Sequence, residues 1–183
     1  RPDLHNAFDE HVIALLTEAF ETAGGDPLVR VVVLRGNGKS FSAGGDLNWM
    51  RRLADYNFAQ NVEDAGRLGH LLKTINFLPK PTIALVHGNA FGGGVGLTAC
   101  CDIAIAEEGT QFCLSEVRIG IIPSIILPYV MTAIGERNAR RYCLTAERFD
   151  AKLAEKIGLV HEVAPKGGLD AALEAVLKSL WDG

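Results

Sequence analysis

No two cysteines stand in a C-x-x-C arrangement, and only 7% of the 183 residues are aromatic. The four thiols, Cys100, Cys101, Cys113 and Cys143, lack the spacing of a zinc ribbon or a redox pair, and adjacent cysteines bridge each other poorly. Reduced, buried thiols are therefore expected, as in a cytoplasmic protein. His5, His11, His70 and His161 are too scattered for a zinc site, so no metal is expected. No apolar run approaches the roughly 18 residues of a membrane span. Nor is one sign of charge dominant: 18 Lys and Arg stand against 22 Asp and Glu, net −4, which argues against a general nucleic-acid or anionic-membrane surface.

What is present is 48% hydrophobic residues, 20 glycines and a length sufficient to bury a core. The charge is unevenly spread. Between Val29 and Arg52 five cations, Arg30, Arg35, Lys39, Arg51 and Arg52, accompany one anion, Asp46. Such a stretch suits either a small polyanionic ligand or a solvated face. The opening Arg1-Pro2-Asp3 reads as the interior of a longer chain.

Hydrophobic periodicity predicts helices over 9–23 and 62–77, and buried β-branched strands over 29–34 and 82–86. Strand-like runs follow at 102–106, 111–114 and 159–163, and helices at 124–134, 136–144, 150–157 and 169–180. Strands alternating with helices throughout imply an α/β fold with mainly parallel pairing. Asp46 stands where a helix N-cap belongs, before Leu47-Asn48-Trp49-Met50.

Two glycine-rich segments each follow a buried strand: Gly36 to Gly45 and His87 to Gly96. Gly94-Val95-Gly96-Leu97-Thr98-Ala99 satisfies G-x-G-x-x-A, but Gly88 to Gly93 intervenes between strand and motif, which a dinucleotide-binding turn does not allow. Glycines let a backbone approach a ligand closely and leave N–H groups bare, and a helix start adds its positive dipole end. Two such donors meeting at one oxygen make an oxyanion hole; close helix packing is the other use of the same glycines. His87 and Asp102 read as residues that order turns, and Trp49 and Met50 as core or channel lining.

The runs Phe41-Ser42-Ala43-Gly44-Gly45-Asp46-Leu47, His87-Gly88-Asn89-Ala90-Phe91-Gly92-Gly93-Gly94, Cys101-Asp102-Ile103-Ala104, Ser115-Glu116 and Gly120-Ile121-Ile122-Pro123 resemble, in that order, the enoyl-CoA hydratase/isomerase (crotonase) family. The resemblance implies a spiral of ββα units over 1–183, one core domain short of segments at both ends. It further implies trimers or paired trimers acting on acyl-CoA thioesters, with no cofactor beyond the CoA carried by the substrate. By the same resemblance the Gly45 and Gly93 N–H groups hold the thioester oxygen. Gly92 adjoins them, and His5, Ala7, Ala43, Asp46 and Leu47 lie in segments that contact CoA.

Typical hydratases of this family carry two glutamates, one three residues beyond the second oxyanion glycine. Gly96 occupies that position here, leaving Glu116 as the matching acid/base. Hydration of an α,β-unsaturated enoyl-CoA, Δ3,Δ2-isomerisation, or acyl-CoA binding without catalysis are all compatible with one such glutamate. The sequence looks most like the bacterial methylglutaconyl-CoA hydratase group, which implies a substrate with a second carboxylate. An extended loop at 116–118 would turn Arg118 to the side of Glu116, to pair with it or with that carboxylate, while a surface or trimer-contact role is the more ordinary use of such an arginine.

Overall fold

The computed structural model describes residues 1–182. Helix α1 (Glu10–Gly25) opens at Asp9, whose side chain accepts from Val12 N. Strand β1 (Val32–Arg35) leads into the first glycine-rich loop, and α2 (Leu47–Leu53) and α3 (Phe58–Asn76) follow it. Next come β2 (Thr82–Val86), β3 (Asn89–Phe91) and α4 (Gly93–Cys100), then β4 (Ile103–Glu107) and β5 (Gln111–Cys113). The chain finishes with α5 (Leu127–Thr145), β6 (Phe149–Asp150), α6 (Ala151–Ile157), β7 (Glu162–Ala164) and α7 (Leu169–Asp182).

Four strands form a parallel sheet in the order β1-β2-β4-β7, and a second sheet runs β3-β5-β6. Strands β2 and β4 each feed a short strand of the second sheet and then a helix, so β2-β3-α4 and β4-β5-α5 are successive ββα units. This is the α/β crotonase architecture expected from the sequence. No helix among the described residues is long and apolar enough to cross a membrane.

Side chains of a strand alternate between faces, and β2 uses both. Ala84 and Val86 enter the main core with α1, α3, α4 and α5, while Ile83 and Leu85 join Ile105 under Leu169 and Ala172 of α7. All five residues of β2 are consequently buried, which explains an apolar run without alternation. Helix α4 has no exposed face, since Gly94 to Thr98 are all buried.

The structure differs from the sequence reading at short elements. Residues 89–91 are a strand where a turn was expected: three residues among glycines carry no periodicity, and pairing with β5 makes them one. The two helices expected over 124–134 and 136–144 form one element interrupted at Gly135, whose φ of 75° is non-helical. Asp102 orders its turn, accepting at Oδ2 from Thr82 N and Oγ1, each at 2.8 Å, and so joins the starts of β2 and β4. Asp102→Ala leaves the buried Thr82 N–H unpaired and should cost about 1–3 kcal/mol in denaturant unfolding.

Candidate active site

Three backbone segments converge beside α4. Ala43 N donates to His5 O and Phe8 N to Gly44 O, both at 2.9 Å, and Asp46 N donates to Phe8 O at 2.9 Å. On the other side Ser42 N donates to Asn89 O at 3.1 Å and Phe91 N to Ser42 O at 3.0 Å. In a parallel bridge a residue bonds the neighbours of its partner. Phe8 therefore uses Gly44 and Asp46, and the N–H of its bridge partner Gly45 is left over.

The second free donor arises differently. Gly92 N donates to Cys113 O at 2.8 Å, and Gly92 then turns with φ 49° and ψ −118°, a conformation that favours glycine, to start α4. The first N–H groups of a helix have no intrahelical partner, and among the described residues Gly93 N has none elsewhere. A Cβ on Gly44 would lie 3.2 Å from Gly93 N, so the two loops touch. Gly45 and Gly93 line one cavity of about 310 Å³ together with Glu116.

Residues 116–119 form a 3-10 helix. Glu116 Oε2 is buried there without a hydrogen-bond partner, and Oε1 would be 2.9 Å from a Cβ on residue 92. A bare Gly92 is what lets the carboxyl lie over the start of α4. Burial raises the Glu116 carboxyl above its ordinary range, with its own backbone N–H opposing weakly.

The 3-10 turn corrects the reading of Arg118. The segment is not extended, so residues 116 and 118 do not share a side. Arg118 Nη2 instead donates to Ala146 O at 2.6 Å and lies outside the cavity lining. Asp46 is the expected cap: Oδ1 accepts from Asn48 N and Trp49 N, and Oδ2 from Arg1. Both oxygens are committed, which leaves no side-chain contact for a ligand. Leu47 is exposed on the first turn of α2 and lines neither this cavity nor the next.

His5 and Ala43 serve the backbone ladder, with His5 Nδ1 3.0 Å from Ser40 Oγ. Ala7 lines a separate cavity of about 220 Å³ with Arg1 and Arg35. His87 Nε2 meets Gly38 O at 3.0 Å, a turn contact. The local excess of cations is mostly engaged: Arg35 pairs with Asp170, Arg52 with Glu10, and Arg30 stacks over Trp181. Burial holds Cys101 up at about 12 and Cys143 at about 11, so neither is a thiolate nucleophile near neutral pH. No group of three metal-ligating side chains occurs among the described residues.

Sequence reasoning missed two lining residues. Asp64 faces the cavity from α3, along with Asn61, Ala65 and Leu68. Their spacing i, i+3, i+4, i+7 marks one helix face and could have found it. Ile126 fills the space beside Gly96: a Cβ at 96 would lie 2.8 Å from Ile126 Cβ and nearer still to its Cγ2.

Two outcomes follow for stability. The raised Glu116 carboxyl binds its proton more tightly in the folded state, so its ionisation burdens folding above its raised value and not below the ordinary one. Glu116→Gln should thus melt higher than the parent at pH 7, by on the order of 1 kcal/mol, and the gap should close below about pH 4. Gly96→Ala should cost about 1–3 kcal/mol by overpacking, and combination with Ile126→Ala should show favourable coupling in a double-mutant cycle.

The chain matches the family model described as enoyl-CoA hydratase/isomerase over residues 1–182. It is 48% identical to an enoyl-CoA hydratase structure from Shewanella pealeana, TM-score 0.97, covering 100% of this chain and 68% of that one. It is 35% identical over 180 residues to the enoyl-CoA hydratase ACTT6 of Alternaria alternata, covering 98% of this chain and 57% of the relative. It is also 30% identical over 188 residues to the trans-2-decenoyl-(acyl-carrier-protein) isomerase of Streptococcus mutans, covering 100% of this chain and 70% of the relative. Against the first three curated relatives, the chain spans between 57% and 66% of their length.

Proposed function

The chain belongs to the enoyl-CoA hydratase/isomerase family, and from that premise we propose that it adds water across the α,β double bond of an enoyl-CoA thioester. The reading is carried by one observation: the free N–H groups of Gly45 and Gly93 and the unpartnered Oε2 of Glu116 line a single cavity. Attack at Cβ pushes electrons onto the thioester oxygen. Two preorganised backbone donors stabilise that charge, each commonly by about 3–4 kcal/mol. Glu116 then delivers a proton to Cα, and burial, which raises its carboxyl above the ordinary range, favours the acid form that this step uses. CoA travels with the substrate, so this chemistry needs no resident cofactor.

The cavity favours a neutral acyl chain over the carboxylated, glutaconyl type. Trp49, Met50, Leu53 and Leu68 supply apolar wall, two carboxyls face inward, and none of the lining residues is Lys, Arg or His. A second substrate carboxylate would enter without a cation to meet it. With Arg118 turned onto Ala146 O, the residue expected to supply that cation is engaged elsewhere. Trimers or paired trimers, as the family resemblance implies, belong to the same proposal.

A second reading, isomerisation of a 3-enoyl to a 2-enoyl thioester, draws on Gly96. With no side chain there, Glu116 alone occupies the family's carboxylate positions, and moving a double bond needs only one group to remove and return a proton. Loss of the conjugated chromophore of crotonyl-CoA is the expected result for hydration, and its gain from a 3-enoyl-CoA the result for isomerisation. Binding without either reaction would favour a non-catalytic acyl-CoA carrier. Glu116→Gln should lower turnover by roughly 10²-fold or more; turnover near that of the parent would overturn the role given to Glu116.

A further inference from the structure

Hydration needs a group that holds the attacking water, and the position three residues past Gly93 offers only Gly96, closed off by Ile126. The same cavity contains a second carboxyl. Asp64 is 7% exposed, projects from α3 into the lining shared by Gly45, Gly93 and Glu116, and accepts at Oδ1 from Trp49 Nε1 at 3.3 Å. Its other oxygen has no hydrogen-bond partner among the described residues. Trp49 relates Asp64 to the oxyanion loop: indole Cζ3 would be 3.4 Å from a Cβ on Gly45, and the pyrrole N–H holds Asp64. Asp64 and the oxyanion loop therefore pack against one indole ring and line the same cavity.

We propose that Asp64 is the general base of this site, holding a water through Oδ2 and taking its proton as the oxygen attacks Cβ of the substrate. The inference rests on the hydratase reading given above. In the step, a water lone pair forms the Cβ–O bond and one water proton passes to Asp64. The π pair moves through Cα to the thioester oxygen, between Gly45 N–H and Gly93 N–H. Collapse of the enolate then takes the proton of Glu116 onto Cα. Asp64 ends protonated and Glu116 ionised, and exchange with solvent restores both. One molecule of water has been added, and nothing is oxidised or reduced.

The surroundings divide the two roles. Asp64 has a hydrogen-bond donor in Trp49 Nε1 and a nearby cation in Arg67, both of which favour its carboxylate. Glu116 Oε2 has no donor, which favours its acid. Burial is the largest influence on each and raises both carboxyls above their ordinary range, with Glu10 and Glu63 raising Asp64 further. The difference that favours Asp64 as the base is the Trp49 N–H on its Oδ1, a donor that Glu116 Oε2 lacks.

Asp64→Asn tests this, because an amide oxygen still accepts from Trp49 but the group cannot take a proton. Two rates are compared on the whole protein: hydration of crotonyl-CoA, and exchange of the Cα protons of butyryl-CoA with deuterated solvent. The exchange uses the oxyanion donors and Glu116 but no attacking water. Hydration should fall by roughly 10²-fold or more while exchange stays within about twofold of the parent. Hydration within about threefold of the parent, or an equal fall in both rates, would overturn the role of Asp64. Failure of the unsubstituted protein to hydrate crotonyl-CoA while it exchanges Cα protons would instead overturn the hydratase reading.

Discussion

Two backbones lie too close together at the centre of this molecule for either to carry ordinary side chains. A Cβ on Gly44 would lie 2.6 Å from Phe91 O, and one on Gly94 would lie 2.7 Å from Ser42 O. That approach is held by hydrogen bonds running from residues 5–8 through 42–46 to 89–91. The two donors of the site are remainders of this ladder. One is left because a parallel bridge skips every second residue, the other because a helix begins. Neither needs a functional side chain, so the sequence marks the hole only as glycine.

Charge around the site follows from the same close packing. A cavity walled by Trp49, Met50, Leu53 and Leu68 has few dipoles of its own, which strengthens the two N–H donors and penalises carboxylates alike. Burial is therefore a single cause with two effects: it strengthens the fields of the two free N–H groups and raises the Glu116 carboxyl. The cations seen in the sequence lie outside this balance. Arg35, Arg52 and Arg118 are held by Asp170, Glu10 and Ala146 O, contacts between residues 135, 42 and 28 positions apart that no local pattern reveals.

Much of the fold was legible because its signals are local. The unbroken apolar run of β2, the Asp46 cap and the break at Gly135 all rest on neighbouring residues. Strand β3 was not, since residues 89–91 acquire their conformation from β5 and from the Ser42–Ala90 bridge. In the site, Gly45, Gly93 and Glu116 could be named from family resemblance, and the structure brings them to one cavity. Arg118 was misplaced because a two-residue spacing has opposite meanings in an extended loop and in a 3-10 turn. Asp64 was overlooked because a carboxylate at Glu63-Asp64 in an exposed-looking helix reads as solvated until α2 is seen to cover it.

Gly96 connects these points. Helix α4 is buried on every side, and at 96 it meets Ile126 at a distance that leaves no room even for a methyl group. The bare face at 96 lets the chain after Pro123 lie against α4, which gives the cavity its wall of residues 122–126. A carboxyl at 96 and this wall exclude each other sterically. Any second acid/base group must then reach the substrate from the opposite wall, formed by α2 and α3, and Asp64 is the carboxyl that those helices provide. Neither backbone donor depends on the side chain at 96, so the wall that carries the carboxyls can change while the Gly45 and Gly93 N–H groups stay where the ladder leaves them.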